Sequence, residues 1–477
     1  ALKFKPDNWK IEFKETGTSS SPQAVDLNGD GIKDIIIGAG AKEFLRTDKG
    51  VMAIDGRNGS LLWKVSARNQ VVGSPALMDI TRDGIPEVFI GGRSALLFCI
   101  NGESGTVIWE FLSDHDSLDM FNDPSILNFY NPQFIPDING DDVMELLVTY
   151  GGFFKPKAND PDRPAGYLMI IDPTTGKILK KASMPDNSET YMSPVVNDIN
   201  KNGDLEIIYG TGGETLDGHF YKATLRELLS ENLANSIVLE SGQGKGFVAP
   251  PVLADVNRDN FLDIIVNSVN GRALCFDGLT NKKLWEVSLG GGFEIYTTPG
   301  PGNLTGDDVP DFFCSFGKGF CPDIKSSINL TIDGRIGEVV YRDTLGTFQY
   351  ASPVVADITQ DGIDDVLFAL NIPVEEQVLV GSFTYLENRI VVFDMKNRIT
   401  FTFDQPKLGT NLGSTPLLTD LDSDGKLDVI YGYSTDASSS YSFKGLAIER
   451  IEIDLNPARV RWGSYMNGDN FQSVYSR

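Results

Sequence analysis

Histidine and cysteine are almost missing from this chain: two and four, respectively, in 477 residues. With only His115 and His219, there is little material for a Ser-His-Asp or Cys-His nucleophilic centre. Four cysteines are too few for a disulfide-held scaffold. Cys314 and Cys321 could close one loop, whereas Cys99 and Cys275 fall on strand-like runs and read as buried apolar fillers. Basic residues are also scarce, 41 against 66 acidic ones for a net charge of −25, which disfavours nucleic acid as a partner. No apolar run approaches the ~18 residues of a membrane-spanning helix. No signal peptide is read, and the polar start at Ala1 is consistent with a processed mature chain.

What the chain has in excess is one acidic nine-residue loop, written eight times at intervals of roughly 50 to 60 residues, the mark of a solenoid, propeller or array. Its first position holds Asp26, Asp79, Asp137, Asp198, Asp255, Asn303, Asp357 and Asp420. The third holds Asn28, Thr81, Asn139, Asn200, Asn257, Thr305, Thr359 and Asp422. The fifth holds Asp30, Asp83, Asp141, Asn202, Asp259, Asp307, Asp361 and Asp424. The ninth holds Asp34, Glu87, Glu145, Glu206, Asp263, Asp311, Asp365 and Asp428. Four side-chain oxygens thus converge, and the backbone carbonyl of the seventh residue can add a fifth: Ile32, Ile85, Val143, Asp204, Phe261, Val309, Ile363 or Lys426.

Such an all-oxygen set suits a hard cation, and its irregular geometry suits calcium better than magnesium. A tight wrap also needs a residue tolerating positive φ at position six, where Gly31, Gly84, Gly203, Gly362 and Gly425 stand, with Asp142, Asn260 and Asp308 in the other copies. A single copy would read as an ordinary Asx turn between strands. Eight copies with the same oxygen positions favour calcium, at up to eight sites. The Asp420 copy has carboxylates at all four side-chain positions and is expected to bind tightest; the Asn303 and Asp198 copies have two each and are expected to bind weakest.

Each loop lies between apolar runs, so the local unit is strand, loop, strand. A proline precedes the first ligand by four residues in seven copies (Pro22, Pro75, Pro194, Pro251, Pro299, Pro353, Pro416) and marks the start of a strand; Pro132 is five before, which suggests a bulge. Turn residues between apolar positions, as in 53–63, 99–109, 170–180 and 275–285, predict a second hairpin per repeat. Four strands repeated radially make an all-β, eight-bladed β-propeller of four-stranded antiparallel blades, with the acidic loop joining the first and second strands of each and one domain over 1–477. The segment 8–13 resembles 62–67 in its offset from the following loop, so it is expected to be an outer strand closing the ring against residues near Ile451–Ile453 or Val460–Trp462.

Connections from second to third strand, and from blade to blade, share the rim opposite the acidic loops. The long segments 38–50, 111–131, 151–166, 210–241, 315–327, 370–389 and 432–443 are expected there, with a short helix around Leu225, Leu228, Leu229 and Leu233. Mixed aromatic and polar stretches such as 151–157, 293–296 and 438–443 suit a protein or glycan surface. The acidic segment from Ser113 to Asp123, with His115, reads as a solvated loop or a further ligand site.

Eight calcium ions would bring the net charge to about −9, so the acidity needs no polycation to explain it. At roughly 1 mM free ion and a dissociation constant of about 0.1 mM, each site adds about 1.4 kcal/mol. That gain exists only where calcium is plentiful, which points to a secreted, surface or periplasmic protein, membrane-associated only through a partner or lipid anchor. Three glycosylation sequons begin at Asn58, Asn303 and Asn329; a glycan on Asn303 would block a ligand, which favours a bacterial surface or periplasm.

The loop, its proline and the following strand resemble the FG-GAP or VCBS repeats of integrin alpha chains and secreted bacterial proteins, over nearly the whole chain. The hairpins from Asp55 to Trp63 and Asn101 to Trp109 are similar to the tryptophan motif of PQQ-type eight-bladed propellers, with Trp285 and Trp462 at the same place after the fifth and eighth loops. That family includes quinoprotein dehydrogenases, which carry adjacent cysteines over the cofactor, and an outer-membrane assembly lipoprotein. No two cysteines are adjacent here, so PQQ catalysis is disfavoured. Together the resemblances imply an extracytoplasmic calcium-loaded propeller used mostly for binding; the leading expectation is a chain without catalytic activity that binds a protein partner, or serves as an accessory subunit, through the rim opposite its loops. The alternative is a carbohydrate-active protein, a lectin or a polysaccharide lyase, using the same rim or the central channel, because similar loops occur in eight-bladed rhamnogalacturonan lyases.

Overall fold

A computed structural model describes residues 8–112, 123–378, 381–402, 404–436, 442–467 and 472–475. It is an all-β propeller of eight four-stranded antiparallel blades. Blade one is typical: Gln23–Val25, Asp34–Gly38, Thr47–Ile54 and Leu61–Ala67 pair in chain order. The first strand of every blade begins at the residue after its proline: Gln23, Ala76, Gln133, Val195, Val252, Gly300, Val354 and Leu417. A residue without an amide donor ends the preceding turn and leaves the ladder to start beyond it.

Burial is deepest in the second strand and falls outward from it. The second strands are buried at every position in blades one to five, whereas the fourth strand of blade one alternates between buried and exposed residues. The apolar clusters lie between neighbouring blades. Ile35, Ile37, Ile430 and Ile448 join blades eight and one, while Ile36, Val51, Val88 and Phe98 join blades one and two.

Tryptophans on fourth strands add a directional lock. The indole Nε1 of Trp9 donates to Gly56 O (2.9 Å), Trp63 to Gly102 O (2.8 Å), Trp109 to Pro173 O (2.7 Å) and Trp285 to Gly334 O (2.7 Å), each in the last hairpin turn of the following blade. A Cβ on Gly59 would stand 2.6 Å from the Trp9 ring, so the turn must carry glycine for the ring to seat. Blade four, which lacks the tryptophan, uses Lys222 Nζ to reach Gly278 O at 2.7 Å.

Ring closure follows the expected logic with a different register. Trp9–Lys14 is the fourth strand of blade eight, pairing with Gly445 to Arg450 rather than with Ile451–Ile453, because Trp9 must lie opposite Arg450 to reach Gly56 of blade one. Val460–Trp462 pairs instead with the first strand of blade seven, so Trp462 is not the blade-eight counterpart of Trp63; Trp9 is. The described residues 472–475 lie against blade five. Leu253 N donates to Ser473 O (2.8 Å) and Tyr475 N to Leu253 O (2.9 Å), and Trp462 and Met466 before them are fully buried.

A second ring of bonds runs through the residues just before the prolines. Ser21 N donates to Ser74 Oγ (2.9 Å), Ser74 N to Asn131 Oδ1 (3.2 Å) and Asn131 N to Ser193 Oγ (3.3 Å). Thr298 N donates to Ser352 Oγ (3.1 Å), Ser352 N to Thr415 Oγ1 (2.9 Å) and Thr415 N back to Ser21 Oγ (3.0 Å). The circle breaks at blade five, where Pro250 has neither hydroxyl nor amide hydrogen, and Thr298 Oγ1 is left buried without a partner.

Three expectations need correction. The extra residue of the third copy is Pro136, between strand and loop; Gln133–Ile135 keeps the regular pairing and has no bulge. Segment 210–241 is not a loop but holds the third and fourth strands of blade four, and the helix Leu225–Leu229 between them therefore stands on the acidic rim, where Arg226 meets Asp204 at 2.7 Å. The segment 370–389 is a hairpin, Asp365–Val378 with Gly381–Asp394, that continues the blade ladder as far as Val378 opposite Gly381. Residues 113–122 with His115, and 438–441, lie outside the described residues.

Candidate functional site

The eight acidic loops join first to second strands as expected and share one rim. In seven, one oxygen of the first residue accepts the N–H of the sixth: Gly31 to Asp26, Gly84 to Asp79, Asp142 to Asp137, Gly203 to Asp198, Asn260 to Asp255, Gly362 to Asp357 and Gly425 to Asp420, at 2.9 to 3.2 Å. In all eight, the fifth side chain accepts from the seventh N–H; Asp30 from Ile32 (2.9 Å) and Asp424 from Lys426 (2.8 Å) are examples. These seven sixth residues have positive φ, from 64° at Asp142 to 93° at Gly84. The sixth loop differs: Asp308 is outside that region, and Asn303 Oδ1 accepts from Gly306 N instead. Position four is left-handed in every copy, including Arg82, Lys201, Arg258, Gln360 and Ser423, which the residue types do not announce.

The ninth residue is a clamp. Asp34 accepts from Leu27 N with one oxygen (3.0 Å) and from Gly56 N with the other (3.1 Å), tying the loop to the last hairpin turn of its blade; Asp263 and Asp311 do the same. Burial pushes Asp34 up to about 6 and Asp263, Asp311 and Asp365 up to about 7, and also raises Glu145 and Glu206. An ionised carboxylate offers roughly four acceptor sites, so these backbone bonds do not exhaust the oxygens. Glu145 Oε2, Thr359 Oγ1, Asp420 Oδ1 and Asp422 Oδ1 are buried without a partner. The donor set therefore fits a hard cation such as calcium.

Among the described residues, one acidic group brings its oxygens within 4.8 Å of one another: Asp420, Asp422 and Asp428. It also holds a cation of the protein's own. Arg450 donates from Nε to Asp428 Oδ1 (2.7 Å) and from a terminal nitrogen to Asp422 Oδ2 (2.6 Å), with its side chain 3 % exposed. In the seventh loop Arg459 pairs with Asp357.

On the opposite rim the pre-proline turns surround a cavity of about 220 Å³ at the axis. Tyr130, Tyr191, Tyr296, Tyr350 and Tyr465 stand in its wall, and small residues, Ser19, Val72, Val248 and Gly413, complete it. Tyr191 donates to Glu189 (2.8 Å), which Arg163 pairs at 2.9 Å; Tyr296 donates to Glu294 (2.9 Å), which pairs with Lys245. Tyr350 donates to Cys321 Sγ at 3.1 Å, and Arg93, also in the wall, pairs with Glu43 at 2.6 Å. Sequence reasoning named the central channel and the stretch 293–296 but missed the ring of tyrosines, although its signal was present: a tyrosine two residues before Ser-Pro or Thr-Pro at 191, 296 and 350.

No protein-family model matches the sequence. Protein FAM234B from Gallus gallus is 23% identical over 365 residues, covering 69% of this chain and 53% of that protein; the Homo sapiens protein of the same name is 21% identical over 378 residues, covering 74% and 56%. The chain thus spans about half the length of the curated relatives it matches. Among solved structures, a europium-containing methanol dehydrogenase superposes with TM-score 0.59 at 10% identity, over 94% of this chain and 93% of that one. Quinohemoprotein alcohol dehydrogenase ADHIIG from Pseudomonas putida HK5 gives 0.55 at 11% identity (94% and 76%), and the exotype rhamnogalacturonan lyase YesX gives 0.51 at 14% (94% and 74%). At these identities the likeness is one of fold.

The remaining sequence candidates are placed as follows. His219 lies on the third strand of blade four, its ring edge-on to Tyr221. All four cysteines are free thiols, so Cys314 and Cys321 do not close a loop. Asn329 is fully buried, donating to Leu345 O, which takes that sequon out of reach of a glycan, whereas Asn58 is exposed. Among the described residues, no helix is long and apolar enough to cross a membrane.

Proposed function

We propose that the chain is a calcium-stapled, extracytoplasmic binding propeller without catalytic activity that docks a protein partner, or acts as an accessory subunit, through the rim opposite its acidic loops. The loops act as staples in this reading. In the first, fifth, sixth and seventh blades the ninth residue ties the first two strands to the last hairpin turn, and an ion on its oxygens would neutralise a carboxylate that burial penalises. The integrin-like pattern of the loops supports the assignment of calcium.

The observation that carries the docking role is the hairpin of blade seven. Its ladder is buried through Asn371 and Asn388, Ile372 and Leu386 still pack on apolar clusters, and the five pairs from Val374 opposite Tyr385 to Val378 opposite Gly381 extend it by roughly 15 Å. Leu45 and Phe320, 50% and 55% exposed, lie in second-to-third strand connections of the same rim. A photo-crosslinker at Thr384 or Leu45 is expected to capture a stoichiometric partner on the native surface, and one at Leu279, in a turn on the acidic rim, is not. Capture from Leu279 alone, or from none of the three, would sink the proposal.

A second reading, a carbohydrate-binding protein, is favoured by one feature, the tyrosine-walled cavity.

A further inference from the structure

That cavity has a chemical character that narrows its ligand. Every carboxylate bonded to its wall has a cation of its own: Glu189 has Arg163, Glu294 has Lys245 and Glu43 has Arg93. Glu214, whose field acts on Tyr296, is exposed at the outer edge. An anionic ligand would have to displace an internal carboxylate from its partner and would meet Glu214 besides, while a cationic one would compete with guanidinium or ammonium groups already seated. A purely apolar ligand would leave the hydroxyls of Ser19 and Tyr130 unsatisfied, as both oxygens are buried without a partner in the structure.

A neutral ligand with hydroxyls and C–H faces remains. Tyrosine presents a ring face for apolar contact and an oxygen for hydrogen bonding in one stiff side chain, and five of them stand around this opening. At about 220 Å³ the volume is below the roughly 300 to 1,000 Å³ of pockets for drug-sized molecules, so one ring fits and a chain does not. Tyr465 in the lining comes from the C-terminal segment, in which Trp462 and Met466 are fully buried.

We propose that the axial cavity binds a single neutral sugar unit, either a free monosaccharide or the terminal residue of a glycan. The inference rests on the carbohydrate reading and is independent of the protein partner and of the acidic loops.

The test is saturation-transfer NMR on the full chain in calcium. The probes are methyl glycosides of glucose, galactose, mannose and fucose, with galacturonate and glucose 6-phosphate as charged counterparts. At least one neutral glycoside is expected to show transfer that Val248→Trp, which fills the cavity, abolishes. Tyr130→Phe, which removes one hydroxyl, should weaken it about three- to ten-fold. An oligosaccharide ending in the same sugar should bind as well as the glycoside if the ligand is a glycan terminus, and more weakly if it is a free sugar. Preference for the charged probes overturns the proposal. Neutral binding that survives Val248→Trp in a chain of unchanged melting temperature removes the cavity as the site while leaving the carbohydrate reading intact. Silence of all probes, together with an empty glycan array, removes both.

Discussion

Arg450 changes what the eighth loop can do. By residue count that loop has the richest ligand set, yet two of its four carboxylates already hold a guanidinium. The expectation that it binds calcium tightest treated carboxylates as vacant, and nothing in the sequence says that an arginine 22 residues after Asp428 will reach back into the loop. Replacing Arg450 by Met strands the buried Asp428. A loss of roughly 3 to 5 kcal/mol is expected in chelator, because one member of a buried pair is left without its partner. In millimolar calcium the loss should shrink, since an ion can then occupy the freed oxygens. Melting temperatures of both proteins with and without calcium decide the matter; an equal loss in both conditions would mean that this loop takes no ion.

At the scale of the element, the repeats were legible because their signals are local and periodic. Proline set the first strand, the oxygen spacing set the loop, and tryptophan set the outer strand at Trp9, Trp63, Trp109 and Trp285 but misled at Trp462. What escaped notice was set by partners far away in sequence, as where Ser473 reaches Pro251 across 222 residues. The pre-proline circle belongs to both groups. Its Ser, Thr and Asn residues stand in plain view, but only the closed ring shows each one bonding the next blade. The break at Pro250 can be mended. Pro250→Ser would supply an N–H for Thr298 Oγ1 and a hydroxyl within reach of Ser193 N. Two bonds worth about 1 kcal/mol each, less about 0.4 to 1 kcal/mol for the added freedom of the unfolded chain, should stabilise the protein by roughly 1 kcal/mol. Chemical denaturation reads this directly, and a variant no more stable than the parent would show that the circle is geometry without energetic consequence.

For the molecule as a whole, calcium and pH should act together. Asp263, Asp311 and Asp365 have folded-state values raised by burial to about 7 from the ordinary 3.8, and Asp34 and Asp428 to about 6. Groups raised in this way favour the folded state fully below about pH 4, and that contribution fades as pH climbs towards 7. The chelated protein should therefore lose stability over this window through these groups. Calcium binds the ionised form, so its stabilising effect should grow over the same range. Thermal melts at pH 5 and 7.5, with calcium or EDTA, test the linkage; a calcium shift that is absent, or the same at both values, would mean that the ninth-position carboxylates are structural clamps and nothing more.

The pairing of Trp9–Lys14 with Gly445–Arg450 also dictates an order of events. A ribosome adds roughly 5 to 20 residues each second, so the Trp9–Lys14 strand waits on the order of half a minute or more for its partner. Blades two to seven can form meanwhile, each beside its neighbour, but the circle cannot shut. Throughout that interval the face of blade one that carries Ile35, Ile37 and Ile54 and the unpaired Trp9 strand are exposed together. A chaperone that shields nascent chains would find its substrate there, and a ribosome stalled just before residue 445 would carry an open ring.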